Sequence, residues 1–168
     1  VVSNVRAYGC GDTGIQSSGS SDEPKEKWPH DNLVVSCVSH DNCDPAENNA
    51  DGFAAKLTCG EGNAFRSCLA YSNIDDGWDL FSKIESGPIG AVLIENCVAW
   101  KNGSLSDGSG NGDGNGFKLG GDGIAVAHVL RNGVSFSNGA SGITSNSDPA
   151  VILENVTSYG NAGANVSL

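Results

Sequence analysis

The chain has 168 residues, 24 of them Gly, with 20 Asp and Glu against 9 Lys and Arg and a formal net charge of −11. That length is one domain's worth, no apolar run is long enough to span a bilayer, and the acidic balance excludes the basic stripe of a nucleic-acid binder. Gly, Asn and Ser carry most of the polarity and form helices poorly, which excludes a helical bundle, while regularly spaced Val, Ile, Leu and aromatic clusters exclude disorder.

The predicted elements recur along the chain. The first phrase is SNVRAYGCG at Ser3, followed by TGIQ at Thr13. The loop SSGSSDEPKEKWP that comes next has no place in the pattern. NLVV at Asn32, VSCVSHDNC at Val35 and DGFAAK at Asp51 then make one full turn of the pattern. RSCLAYSNI at Arg66 and DGWDLF at Asp76 repeat it, as do AVLIEN at Ala91, ENCVAWKNG at Glu95 and NGFKLG at Asn115. HVLRN at His128, RNGVSFSNG at Arg131 and SGITSN at Ser141 precede the last turn, AVILEN at Ala150, ENVTSYGNA at Glu154 and ANVSL at Ala164. Taking Val5, Cys37, Cys68, Cys97, Gly133 and Val156 as equivalent, the steps are 32, 31, 29, 36 and 23 residues.

Short alternating runs with β-branched and aromatic residues are strands. Three of them per bare repeat of about 23 residues, with no helical period, predict an all-β, right-handed parallel β-helix of about six coils, in which each coil stacks only on its neighbours. A single β-helix domain is expected over residues 1–168. Neither a capping helix nor an end cap is visible, and the chain opens mid-pattern without a basic and apolar leader, so the core of a longer chain is expected. Asn42, Asn73, Asn102, Asn138 and Asn161 fall at one corner, as an amide ladder or as turn residues tolerant of left-handed backbone.

Six Cys and no Met are the other compositional signals. Cys37, Cys68 and Cys97 share an inward column. Without a C-x-x-C spacing they are expected to be small buried hydrophobes rather than a metal or redox site. Cys10 and Cys43 fall near neighbouring coil corners, where a disulfide would fit.

Chemistry concentrates where Phe53, Trp78 and Phe117 align. The next, outward-facing residues are Ala54, Asp79 and Lys118, and Asp51, Asp76 and Asn115 stand two positions before the aromatics. With coils about 4.8 Å apart, Asp51 stacks on Asp76, Asp75 and Asp79 flank Asp76, and Lys118 lies one coil beyond Asp79. Lys118 is the one basic residue expected in this column. Like charges this close repel. A divalent cation relieves them, and an all-oxygen set without His suits Ca²⁺. The competing reading is a solvated acidic face. Lys56 and Lys83 project near the same face and Arg66 and Arg131 lie at coil starts; all four read as ordinary surface charges, and His30, His40 and His128 have no triad partners. GSGNGDGNG resembles one unit of a Ca²⁺-binding nonapeptide repeat, a signal that needs tandem copies. The sequons at Asn102, Asn155 and Asn165 are of a kind frequent in an Asn- and Ser-rich chain.

The segments NADGFAAKLTCGEGNAFRSC, NIDDGWDLFSK, GPIGAVLIENCVAW, GDGNGFKLGGDG and GASGITSNSDPAVILENVTSYGN resemble the family nine polysaccharide lyases, the pectate-lyase group with a right-handed β-helix. The resemblance covers roughly residues 30–168. It implies Ca²⁺ on Asp51, Asp75, Asp76 and Asp79, and Lys118 as the base that takes the C5 proton of a galacturonate during β-elimination. It also implies a secreted enzyme, an acidic polysaccharide partner and an alkaline optimum, because a free lysine is mostly protonated at neutral pH. Two other functions are open at this point. One is the same chemistry on another acidic glycan, such as rhamnogalacturonan or a sheath glycan. The other is a structural β-helix whose open coil ends self-assemble into an extracellular fibre.

Overall fold

The computed structural model describes all 168 residues. Each coil contributes one short strand to each of three sheets. Coil one holds β1 (Val2–Ser3), β2 (Arg6–Tyr8) and β3 (Ile15–Ser17), and coil two β4 (Leu33–Val35), β5 (Val38–His40) and β6 (Phe53–Ala55). Coil three holds β7 (Ala64–Arg66), β8 (Leu69–Tyr71) and β9 (Trp78–Asp79), and coil four β10 (Leu93–Glu95), β11 (Val98–Trp100) and β12 (Phe117–Lys118). Coil five holds β13 (Val129–Arg131), β14 (Val134–Phe136) and β15 (Ile143–Thr144), and coil six β16 (Ile152–Glu154), β17 (Thr157–Tyr159) and β18 (Val166–Ser167). The sheets order as β1-β4-β7-β10-β13-β16, β2-β5-β8-β11-β14-β17 and β3-β6-β9-β12-β15-β18. Every pairing within them is parallel. This is the predicted parallel β-helix. Residues before Asn32, which the repeat left partly unplaced, form a complete first coil, and their loop contains a single 3-10 turn at Lys25–Lys27.

The corners explain the repeat phrase. Between first and second strands the chain turns on one left-handed residue per coil: Asn4, Ser36, Ser67, Asn96, Asn132 and Asn155, all at φ between 50 and 56°. Asn and Ser are among the side chains that fit such turns. The following residue, Cys in three coils, points inward. Cys37, Cys68 and Cys97 are fully buried and pack with Phe65, Ile94 and Leu130. They are free thiols and serve as small hydrophobes, so Cys68→Ala is expected to cost about 1 kcal/mol in chemical denaturation and to leave the site chemistry unchanged. Cys10 and Cys43 do meet at neighbouring corners, where the Cys43 amide donates to the Cys10 carbonyl at 2.9 Å. Both are free, so the disulfide that would fit there is not formed.

The predicted Asn corner is a hydrogen-bonded ladder. Asn42 Nδ2 donates to Asn73 Oδ1 (2.8 Å), Asn73 to Asn102 (3.0 Å), Asn102 to Asn138 (2.9 Å) and Asn138 to Asn161 (2.9 Å). Each of the acceptor oxygens on Asn102, Asn138 and Asn161 also takes the backbone N–H of the rung before it. Asn102 is therefore buried in the ladder, and the sequon there is inaccessible. A second, exposed ladder runs Asn155 to Asn132 to Asn96. Arg66 and Arg131 flank Glu95, with Glu154 beyond Arg131, in a column of alternating charge on the first sheet. They are surface ion pairs, worth little individually. His40 stacks between Tyr8 and Tyr71 on the outer face of the second sheet.

The third sheet positions the carboxylates. Its inward column is Phe53, Trp78 and Phe117, all fully buried, with ring centroids 4.8 Å apart at each step. The Gly before each aromatic is required by close approach: a Cβ on Gly77 would lie 2.5 Å from the Gly116 carbonyl oxygen. That contact fixes the D-G-aromatic phrase and holds the Asp before the Gly at a constant height in the coil. No helix is long and apolar enough to cross a membrane.

Candidate metal and active site

Register brings Lys118 opposite Asp79 and Asp79 opposite Ala54 on the outer face of the third sheet. One coil step separates Lys118 from Asp79, as the alternation requires. Asp51 and Asp76 precede Gly52 and Gly77 at the turn into this sheet, with Thr13 and Asn115 on either side in the same column. Each spends one carboxylate oxygen on the next coil. Asp51 Oδ1 accepts the Asp76 amide (3.2 Å), and Asp76 Oδ1 accepts both the amide and the side-chain Nδ2 of Asn115 (2.8 Å each). These bonds leave the second oxygens to face lysines, Asp51 Oδ2 toward Lys56 and Asp76 Oδ2 toward Lys118.

Asp51, Asp75 and Asp76 converge with one carboxylate oxygen from each lying within 4.8 Å of the others, all three buried. Asp79 stands beside this trio rather than inside it. Its Oδ2 is 3.1 Å from Lys56 Nζ and its Oδ1 is 4.0 Å from Lys118 Nζ. Lys118 Nζ also reaches Asp76 Oδ2 at 3.1 Å and lies 5.9 Å above the Phe81 ring. Lys56 corrects the expectation that Lys118 is the one basic residue here. Its ammonium is buried 2.7 Å from Asp51 Oδ2, where Thr13 Oγ1 also donates at 3.1 Å. Strict alternation carries the signal for it: Ala54 and Lys56 both point outward, but Lys56 lies just past the end of β6.

The electrostatics are those of a crowded anion cluster. Burial, then the Asp76 charge, push Asp75 up to about 7. Burial raises Asp76 to about 6 against the pull of Lys118. Burial and Asp79 hold Asp51 well above the usual carboxylate range, opposed by Lys56. For Lys118, burial disfavours the ammonium, but Asp79, Asp76 and Asp75 outweigh it and hold the group charged well above the ordinary lysine range.

The donor set fits a hard divalent ion. It is all oxygen, and the buried Asp75 Oδ1 and Asp79 Oδ1 have no hydrogen-bond partner, while Asp76 Oδ2 faces the Lys118 ammonium. Buried acceptors without donors are costly, and an ion at the centre would satisfy them.

A raised carboxylate contributes stability that is fully present below its unfolded pKa of about 4 and is lost as pH rises through its folded value. Metal-free protein is thus expected to lose stability between pH 4 and 7 through Asp75 and Asp76. Buried His128, pushed down to about 4 by burial, acts in the opposite sense over pH 4 to 6.5. The test is therefore a difference. Thermal unfolding in chelator should show the wild type losing stability relative to Asp75→Asn as pH rises through this window, and Ca²⁺ should abolish the loss.

The model of the Pel9A-like, right-handed β-helix region matches residues 1–167. The chain belongs to this family. The match includes the first coil, which the sequence motifs reached less clearly. Pectate lyase L of Thermoclostridium stercorarium is 54% identical over 99% of the chain, and pectate lyase L of Paenibacillus polymyxa (strain SC2) is 52% identical over 98%. The chain spans 14% and 38% of those two proteins. Among solved structures, pectate lyase Pel9A superposes with a TM-score of 0.78 at 35% identity, covering 95% of this chain and 38% of that one. A rhamnogalacturonan lyase superposes at 0.72 with 25% identity, covering 94% and 41%. The Pel9A-like family assignment makes the β-helix right-handed and its relatives polysaccharide lyases by name.

Proposed function

We propose that the chain carries the catalytic centre of a Ca²⁺-dependent lyase that cleaves a pectate-like polyuronate by β-elimination, outside the cell. The observation that carries this reading is the juxtaposition of three converging buried carboxylates with Lys118 Nζ, 3.1 Å from Asp76, on one sheet face. Asp51, Asp75 and Asp76 would hold the ion, with Asp79 at its edge. A bound Ca²⁺ would supply Lewis-acid stabilisation to the carboxylate of the sugar and to the charge that develops next to it.

Everything else falls to the chain's own side chains. Lys118 lies at the rim of the cluster, with its side chain 16% exposed, so a sugar on the sheet face meets its Nζ. As a neutral amine it takes the C5 proton, the C5–H electron pair forms the C4–C5 double bond of an unsaturated uronate, and the C4–O bond breaks with the departing oxygen taking its proton from solvent. The carboxylates keep the lysine protonated without metal, and positive charge from a bound ion works in the opposite direction. Activity should accordingly rise toward alkaline pH. An ion between protein and polymer also reconciles a chain of charge −11 with a polyanionic substrate.

The pectate lyases named above favour polygalacturonate, and the rhamnogalacturonan lyase structure makes rhamnogalacturonan the second substrate to try. The fibre reading gains nothing from relatives that are lyases by name. The experiment is ultraviolet detection of unsaturated product from each polymer, with Ca²⁺ and with chelator. Product from neither polymer at saturating Ca²⁺ would refute the proposal.

A further inference from the structure

Lys56 is the group in this cluster that neither the repeat nor the proposed reaction accounts for. It is buried, it lies on coil two, and it reaches across to coil three. Its Nζ sits 2.7 Å from Asp51 Oδ2 and 3.1 Å from Asp79 Oδ2. Its main chain is fixed as well, since the Lys56 carbonyl accepts the Ser18 hydroxyl at 2.8 Å and the Thr58 amide at 2.8 Å. Asp79 is thereby flanked from both neighbouring coils, by Lys56 on one side and Lys118 on the other. With all four carboxylates ionised, as ion binding requires, they and the two ammonium groups among them leave a deficit of two charges, the charge of one divalent ion.

We infer that Lys56 is a built-in counterion, a positioning residue that sets the charge the cluster offers its ion at two and pins Asp51 and Asp79 in place. The inference rests on the proposed cation site. The two lysines divide the labour. Lys118 is the more exposed, at the rim where a substrate would arrive, whereas Lys56 is held between Asp51 Oδ2 and Asp79 Oδ2 and is less exposed. A lysine in that position serves selectivity. Without its charge the cluster would present a deficit of three and favour a trivalent ion.

The test measures binding of Ca²⁺ and of La³⁺, each as the ion alone, by titration calorimetry of the intact chain. La³⁺ shares the preference for oxygen ligands and carries one more charge. A unit charge a few ångströms away acts more strongly on the ion with more charge, by more than about tenfold in affinity at an effective dielectric near 20. Lys56→Met, close in length and uncharged, should therefore raise the La³⁺:Ca²⁺ affinity ratio tenfold or more, and Lys56→Arg should keep the wild-type ratio within about threefold. A merely structural lysine would lower both affinities together and leave the ratio alone. Lys56→Gln is the second neutral variant. If neither neutral variant folds without metal, the ratio is read from the concentration of each ion needed to refold it. An unchanged ratio alongside normal Ca²⁺ binding by the wild type overturns this inference alone, and a wild type that binds neither ion overturns the cation site with it.

Discussion

Lys118→Ala is expected to fold, to retain Ca²⁺ binding and to lose turnover on polygalacturonate by a factor of about 10²–10⁴, the usual worth of positioned proton transfer. Folding should survive because Lys118 lies on the outer face with its amine at the rim, while the aromatic column behind it is untouched. Ion binding should survive because the variant removes a cation from the cluster and leaves every carboxylate in place. Lys56, pinned between Asp51 and Asp79, is not free to take over the proton. Lys118→Arg should be nearly as poor, since a guanidinium does not give up its proton in a protein. The assay is steady-state formation of unsaturated product at saturating Ca²⁺ between pH 7 and 11. More than about a tenth of wild-type kcat in Lys118→Ala, well short of that factor, removes the lysine from the mechanism.

Trp78→Ala should destabilise the fold by about 3–5 kcal/mol, the range for deleting a buried aromatic. Trp78 is fully buried, stacked 4.8 Å from both Phe53 and Phe117, with Phe65 meeting it edge-on at 6.4 Å. Its removal breaks the column at the coil that carries Asp75, Asp76 and Asp79, so Ca²⁺ affinity should fall along with stability. Trp78→Phe should cost much less. It continues the Phe column, and it deletes an indole Nε1 that is buried without an acceptor, which offsets part of the lost area. Urea denaturation of the three proteins checks the order. Equal losses for Ala and Phe would mean that the column does not set stability.

Much of this molecule was legible because a solenoid writes its geometry as a period. Aligning Phe53, Trp78 and Phe117 is enough to place Asp79 against Lys118 and Asp51 against Asp76, since parallel register follows directly from equivalent inward residues. The Asn corner was legible for the same reason. Alternation put Lys56 near this face but left it a surface charge, because the lysine follows the three-residue β6 and spacing gives no sign that its ammonium is buried between Asp51 and Asp79. The trio of Asp51, Asp75 and Asp76 could not be told from the four-membered set, because spacing assigns a coil height and not the direction in which a carboxylate turns. Phe81 beneath Lys118, and Thr13 on Asp51, stand at the ends of their phrases, Phe81 last in DGWDLF and Thr13 first in TGIQ, where the other coils carry different residues. The first coil matched less clearly because its loop SSGSSDEPKEKWP, ahead of Asn32, has no counterpart in the other coils.

The Asn ladder also bears on how such a chain can change in length. Its rungs are joined over separations of 31, 29, 36 and 23 residues, yet all four bonds lie between 2.8 and 3.0 Å. The number of residues between rungs is therefore nearly free, while the phase of each rung is not. A segment added between Gly103 and Gly114 interrupts no strand, and the entropy of a longer loop grows slowly with its length. A single residue added inside Val98–Trp100 would turn its inward side chains outward and detach Asn102 from both neighbours. Innovation by insertion is thus confined to the turns, and growth of the scaffold itself to whole coils that bring their own asparagine.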